Sequence, residues 1–192
     1  MQRRRLIQTL GASTALAGLG ALGGCASVGG NQPKVVVVGG GYGGATAAKY
    51  LRLFSSNGID VTLVEPNANF VSCPISNLVV GGHKTLADIT VPYDNLARRH
   101  GVKVVRDMVE SIDADKRTVK LASGATLPYD RLILSPGIDF MLDTIPGLNK
   151  PGAQEKVLHA WKAGPQTAML HEQLKALPDG GTYALSIPLA PY

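Results

Sequence analysis

The sequence predicts an α/β fold built on a parallel sheet, and three observations predict it. Four consecutive valines, Val35 to Val38, form a run apolar on both faces, as a strand covered on both sides of a parallel sheet requires. Directly after them, Gly39, Gly41 and Gly44 fall on the spacing G-x-G-x-x-G and lead into the helix-forming residues Ala45, Ala47, Ala48 and Leu51. A second apolar run, Val61 to Val64, ends in Glu65.

Strand, glycine turn, helix, strand and acid in this register read as a dinucleotide-binding βαβ unit. Gly39 supplies the tight turn, Gly41 lets a pyrophosphate approach the backbone, and Gly44 allows close contact of helix and strand. The first-turn amides and the helix dipole favour a diphosphate. Glu65, at the end of the second strand, accepts the protons of both ribose hydroxyls and repels a 2′-phosphate, which selects an unphosphorylated adenosine. The unit does not choose between FAD and NAD.

Further along, "YDNLARRHG" predicts a helix ending at Gly101, and "VKVVRD" a third parallel strand. The period then changes. "VESIDADKRTVKLASGATLPYD" alternates apolar and polar residues around turns at Asp113 to Lys116 and at Ser123-Gly124, which predicts a three-stranded antiparallel meander. It leads into a buried strand, "RLILSPG", closed by Ser135, Pro136 and Gly137. "GPQTAMLHEQLKAL" predicts an amphipathic helix that covers the sheet, and "GTYALSI" a strand that opens a second domain. The following "PLAPY" lacks the glycines that cradle a diphosphate, which argues against NAD as electron partner.

Composition excludes several classes of function. The formal charge is +5, but Arg3, Arg4 and Arg5 supply three of those charges, leaving 16 basic against 14 acidic residues and +2. No basic patch with interleaved aromatics is present, so nucleic acid is not an expected partner. Two cysteines, Cys25 and Cys73, cannot build a disulfide framework. His83, His100, His159 and His171 have no metal-ligand spacing and read as surface or capping groups. Trp161 reads as packing a connecting segment.

A dinucleotide-binding domain whose crossover is a meander, followed by a strand ending in a small-Pro-Gly turn, resembles the FAD domain of the glutathione-reductase-like flavoproteins with two dinucleotide-binding domains. Within that superfamily, "VVVVGGGYGGATAAKYL", "VEPN", "SCPISN" with "VVGG", "YDRLILSPGIDF" and "HAWKAGPQT" resemble the flavoprotein subunit of flavocytochrome c sulfide dehydrogenase. The resemblance implies a Rossmann-like FAD-binding domain with cofactor contacts at Gly39, Gly41, Tyr42, Gly43, Gly44, Glu65, Pro66, Cys73, Val105, Ser135, Pro136 and Gly137. It also implies sulfide as substrate and a c-type cytochrome subunit as electron acceptor. A quinone-linked sulfide oxidoreductase, an NADH-dependent disulfide reductase and a non-catalytic FAD-binding fragment are the competing readings.

Cys73 lies eight residues beyond Glu65. Read alone, a free cysteine is usually a small buried hydrophobe. The resemblance instead implies a thioether to the 8α-methyl group of the flavin. Pro74 after it restricts Cys73 to extended backbone, where the family commonly has an aromatic residue. The family's redox-active cysteine pair is expected downstream of Tyr192. The chain therefore reads as an N-terminal portion of a protein about twice its length. Standing alone, it is expected to lack turnover and to hold FAD poorly, with sheet edges exposed.

The first 26 residues, with Arg3-Arg4 before a short Ala, Leu and Gly segment and small residues around Cys25, resemble a twin-arginine-type signal peptide. The expected location is the periplasm. "LGGC" serves equally as a lipobox that would tether Cys25 to the membrane or as an ordinary cleavage site. The expected organisation is signal peptide over 1–26, the N-terminal part of the FAD domain over 34–150, and a connector with the first helix and strand of a second domain over 151–192.

Overall fold

The computed structural model describes residues 32–187. The signal peptide, Cys25 and the "PLAPY" turn lie outside the described residues. β1 (Lys34–Val38), α1 (Tyr42–Phe54) and β2 (Asp60–Val64) form the predicted βαβ unit. β5 (Lys103–Val105) and β9 (Arg131–Leu134) complete a four-stranded parallel sheet in the order β5-β2-β1-β9. In register, Val36 lies between Thr62 of β2 and Leu132 of β9.

The valine run works as a strand buried on both faces. Val35 and Val37 point into one apolar cluster with Ala48, Val61, Leu63 and Val102, while Val36 joins Val64, Val119 and Leu121 in a second. Val37, Val61, Leu63 and Val119 have no measurable exposure. Each such side chain contributes about 1.5–3 kcal/mol by leaving water.

α1 covers the first face. Its last turn is fastened by Arg52, whose Nε donates to His100 O at 3.0 Å and whose Nη1 donates to Asn57 O at 3.0 Å and to Ile59 O. His100 is the last residue of α3 (Asp94–His100), which stops where Gly101 turns left-handed at φ 62°. Without a Cβ, Gly101 adopts that conformation at little cost. Arg52 thus ties together the ends of two helices and the entry to β2.

The second face is covered by the predicted meander, β6 (Val109–Asp113), β7 (Thr118–Leu121) and β8 (Thr126–Pro128), in which each neighbouring pair is antiparallel. Its buried residues Val119 and Leu121 alternate with exposed Lys120, the period-two pattern read from the sequence.

Two short strands, β3 (Asn69–Val71) and β4 (Thr90–Pro92), pair antiparallel between β2 and α3. Between them lie Cys73, the four-residue α2 (Asn77–Val80) and a 3-10 turn at Ala87–Ile89. After β9 the chain runs through a 3-10 turn at Leu142–Thr144 and α4 (Ala153–Lys156) to α5 (Pro165–Ala176).

Two expectations are corrected. α5 packs on α2 rather than covering the sheet: Thr167 and Leu170 are buried, and His171 Nδ1 donates to Val80 O at 3.0 Å. Residues 181–187 form no strand. Their alternating apolar residues Tyr183, Leu185 and Ile187 are 56%, 71% and 67% exposed. Alternation makes a strand only when a neighbour supplies hydrogen bonds, and no described strand lies beside this segment.

Candidate cofactor site

In the order β5-β2-β1-β9 the succession of strands reverses at β1: the connection after β1 leads to β2 on one side, while β9 returns on the other. A crevice opens outside the carboxyl end of such a strand, where α/β sheets bind ligands. A cavity of about 1070 Å³ lies there. Of the predicted contacts, Gly39, Gly41, Glu65, Cys73, Ser135, Pro136 and Gly137 line it.

The glycine turn is tightly built. Gly39 N donates to Val64 O at 2.9 Å, and Ser135 N donates to Val38 O at 2.8 Å, so the ends of three strands meet at the turn. Gly39 has φ 91°, and a Cβ there would stand 2.0 Å from Ser135 O. A Cβ on Gly44 would stand 1.8 Å from Gly39 O, which is the close helix-to-strand contact expected of it. At Gly41 a Cβ would meet nothing within 4 Å. That open side borders the cavity and the start of α1, whose first-turn amides have no acceptor within the helix.

Gly40 falls between the motif positions, and the sequence reading missed it. Its N–H donates to Glu65 Oε2 at 2.7 Å and its carbonyl accepts from the Tyr93 hydroxyl at 2.9 Å, both buried. A Cβ on Gly40 would lie 2.5 Å from that hydroxyl. Burial first, and the nearby Glu65 carboxylate second, push the Tyr93 hydroxyl up to about 12. The signal for Gly40 is the third consecutive glycine in Gly39-Gly40-Gly41. For Tyr93 there is no local signal, since its partner lies 53 residues away.

Glu65 is 8% exposed and already well occupied. Besides Gly40, its Oε1 accepts from Asn67 N at 2.9 Å and Asn67 Nδ2 at 2.7 Å. A carboxylate has about four acceptor positions, so one stays open. A second opens if the exposed Asn67 side chain swings aside, while the buried Gly40 bond stays.

Cys73 is exposed, which corrects the reading of it as a buried hydrophobe. Its backbone is held from both sides. Ser72 N donates to Ile89 O at 2.9 Å, the Ser72 and Tyr42 hydroxyls share a hydrogen bond of 2.5 Å, and Cys73 O accepts from Ser76 N at 2.9 Å and Ser76 Oγ at 2.7 Å. The thiol donates to Trp161 O at 2.8 Å. Trp161 also lines the cavity and is 66% exposed, so it does not pack a connecting segment as its sequence context suggested.

The remaining predicted contacts stand off the lining. Tyr42 turns its ring edge-on to Phe70, with centroids 4.8 Å apart, and its hydroxyl to Ser72. Gly43 faces Ser135, and Gly44 is buried. Pro66 is exposed beyond Glu65. Val105 is half-buried in the second core cluster and its carbonyl receives Glu65 N at 3.0 Å, so it supports the acid from behind.

The histidines serve the scaffold. His83 is exposed, His100 accepts Arg52 through its carbonyl, and His171 braces Val80. His159 lies tilted against Phe140 with ring centroids 4.4 Å apart, and burial, then the Lys162 charge, hold its ring below the ordinary histidine range against the opposing pull of Asp139. Among the described residues, no group of three His, Cys, Asp or Glu side chains could hold a metal ion.

Residues 33–175 match the family model described as pyridine nucleotide-disulphide oxidoreductase. The chain is 63% identical over 46 residues to the sulfide dehydrogenase [flavocytochrome c] flavoprotein chain of Chlorobaculum thiosulfatiphilum, covering 24% of this chain and 94% of that sequence. It is 33% identical over 103 residues to the sulfide-quinone reductase of Aquifex aeolicus, covering 54% of this chain and 24% of the relative. The solved sulfide:quinone oxidoreductase of Aquifex aeolicus superposes with a TM-score of 0.63 at 27% identity, over 74% of this chain and 32% of that one. This chain therefore spans about a quarter to a third of the length of the Aquifex proteins.

Proposed function

Because the chain belongs to the pyridine nucleotide-disulphide oxidoreductase family, we propose that its cavity holds FAD and that it is the flavin-bearing part of a sulfide oxidoreductase that passes electrons to a c-type cytochrome. The observation that carries the reading is the pairing, in the lining of one cavity, of a glycine turn open at Gly41 with the exposed thiol of Cys73.

The residues fit the cofactor. Gly41 and the first-turn amides of α1 hold the diphosphate, since nothing fills the space beside Gly41 and the dipole there favours negative charge. Glu65 accepts from the adenosine ribose through its free position. The Ser72–Tyr42 bond and the Ser76 turn fix the backbone from which Cys73 Sγ is aimed, and Sγ is the proposed thioether attachment point. Bound FAD supplies the two-electron chemistry that takes electrons from sulfide.

The sulfide and cytochrome assignments draw support from the name and 63% identity of the Chlorobaculum relative. A quinone as acceptor is the second reading, favoured by the Aquifex sulfide-quinone reductase match. Sulfide-dependent reduction of a quinone analogue, with none of a c-type cytochrome, would select it. Export to the periplasm by a twin-arginine-type leader over 1–26 belongs to the same proposal, supported by Arg3-Arg4 and the small residues at Cys25. Intact mass separates its two outcomes, a diacylglycerol increment on Cys25 or a start at Ser27.

The central test is to purify the protein, denature it and follow flavin absorbance. We expect flavin that stays with the polypeptide and becomes acid-extractable in Cys73→Ala. Extractable flavin in the unaltered full-length protein overturns the Cys73 link, and a full-length protein that takes up no flavin overturns the cofactor assignment.

A further inference from the structure

Trp161 is the single tryptophan of the chain. Indoles usually bury most of their surface, yet this one faces the cavity 66% exposed. Its backbone is nevertheless fixed. Its carbonyl receives the Cys73 thiol, His159 N donates to Gln166 Oε1 at 3.0 Å, and Gly164 N donates to Thr167 Oγ1 at 3.1 Å. Gln166 and Thr167 lie in the first turn of α5, and α5 is braced through His171 to Val80 on α2. α2 begins four residues after Cys73. The Cys73 thiol and the Trp161 backbone are therefore held by one closed circuit of contacts, which fixes the point from which the indole projects.

Around this crossing the lining is small: Pro74, Ala160, Ala163 and Gly164 leave room for a flat ring. The neighbouring ammonium of Lys162 is paired with Asp139 at 3.0 Å, so the charge beside the indole is compensated. An electron-rich indole and a planar, electron-poor ring system favour offset stacking.

We infer that Trp161 is a ligand-contact residue whose indole packs against the planar ring of a flavin bound beside Cys73. This rests on the assignment of FAD to the cavity. Stacking then shields both the ring and the Cys73 sulfur from water, and the exposed indole of the free protein becomes buried.

The test uses the full chain carrying Cys73→Ser, which keeps a hydroxyl donor for Trp161 O and makes flavin binding reversible. FAD affinity is measured by equilibrium dialysis, with and without Trp161→Ala and Trp161→Phe. We expect Trp161→Ala to weaken binding about tenfold, within the range found when an aromatic platform is lost, and Trp161→Phe, which keeps an aromatic face, to weaken it less. Bound flavin should also fluoresce more brightly with Phe than with Trp at this position, because contact with indole quenches it. Equal affinity for Trp161→Ala and the Cys73→Ser parent, with unchanged flavin emission in Trp161→Phe, overturns the inference and leaves the FAD assignment standing. Failure of the parent to bind FAD overturns both. Far-UV circular dichroism of each variant should match the parent, because the exposed indole supports no core packing.

Discussion

At the Gly39–Gly44 turn, atoms from three strands, a helix and Tyr93 meet within hydrogen-bond distance, and the groups that hold Gly40 are buried. At the crossing of Cys73 and Trp161 the same cavity is bounded by exposed side chains on loops, joined by a thiol-carbonyl bond. The first region is part of the core and cannot change without the sheet changing. The second hangs on the core through short helices. A site built this way holds the invariant part of a ligand on rigid backbone and leaves the reactive part to segments that can be altered at little cost to the fold.

Substitutions should separate the two regions. Gly44→Ala should cost about 3 kcal/mol or more, read as a lowered urea midpoint, because its methyl group would press on a backbone carbonyl that has nowhere to go. An unchanged midpoint would break the contrast.

The next effect is one of pH. The Tyr93 hydroxyl, pushed up to about 12 in the fold, ionises near its ordinary value of 10 in the unfolded chain. Between those values the unfolded state binds fewer protons than the native one, so stability falls as pH rises. The stabilisation is complete below pH 10, and about 2–3 kcal/mol of it is lost by pH 12. Tyr93→Phe should flatten this slope in alkaline urea titrations and cost about 1 kcal/mol near neutrality, by leaving Gly40 O without its donor.

On the looser side, Ser76→Ala removes one of two donors to Cys73 O and should cost about 0.5–1 kcal/mol in the same denaturation assay. A loss as large as that of Gly44→Ala would show the Cys73 loop to be part of the core. Smallest of all, Lys103→Ala breaks the pair with Asp60 at 2.7 Å, in which the lysine is mostly exposed, and should move the midpoint by no more than about 0.5 kcal/mol.

The parts legible in the sequence are those whose cause is local. Val35 to Val38 announce a doubly covered strand, the glycine spacing announces the turn, and the alternation over 109–128 announces the meander, because each pattern is written within a few residues of the structure it makes. Cys73 and Trp161 were each visible, but 88 residues separate them, and no periodicity encodes their hydrogen bond. The role of Gly40 was hidden for the same reason, since a hydroxyl from Tyr93 and a carboxylate from Glu65 define it. α5 buries only Thr167 and Leu170, one turn apart, and so thin an apolar pattern cannot say whether it meets a sheet or a neighbouring helix. At 181–187 the alternation is real, but a strand needs a partner as well as a pattern.

The place of β9 in the sheet carries a consequence for how the protein folds. β1 lies between β2 and β9, and Lys34 N donates to Asp130 Oδ2 at 2.7 Å across a separation of 96 residues. A growing chain can zip β1 to β2 early, but one edge of the central strand stays bare until nearly a hundred further residues have emerged. Closing so long a loop precedes the contacts that reward it, so refolding should be slow for a domain of this size. The intermediate that waits would display the valine strand to any other unfinished chain, and dilution or a chaperone, rather than a better core, is what would raise the yield of native protein.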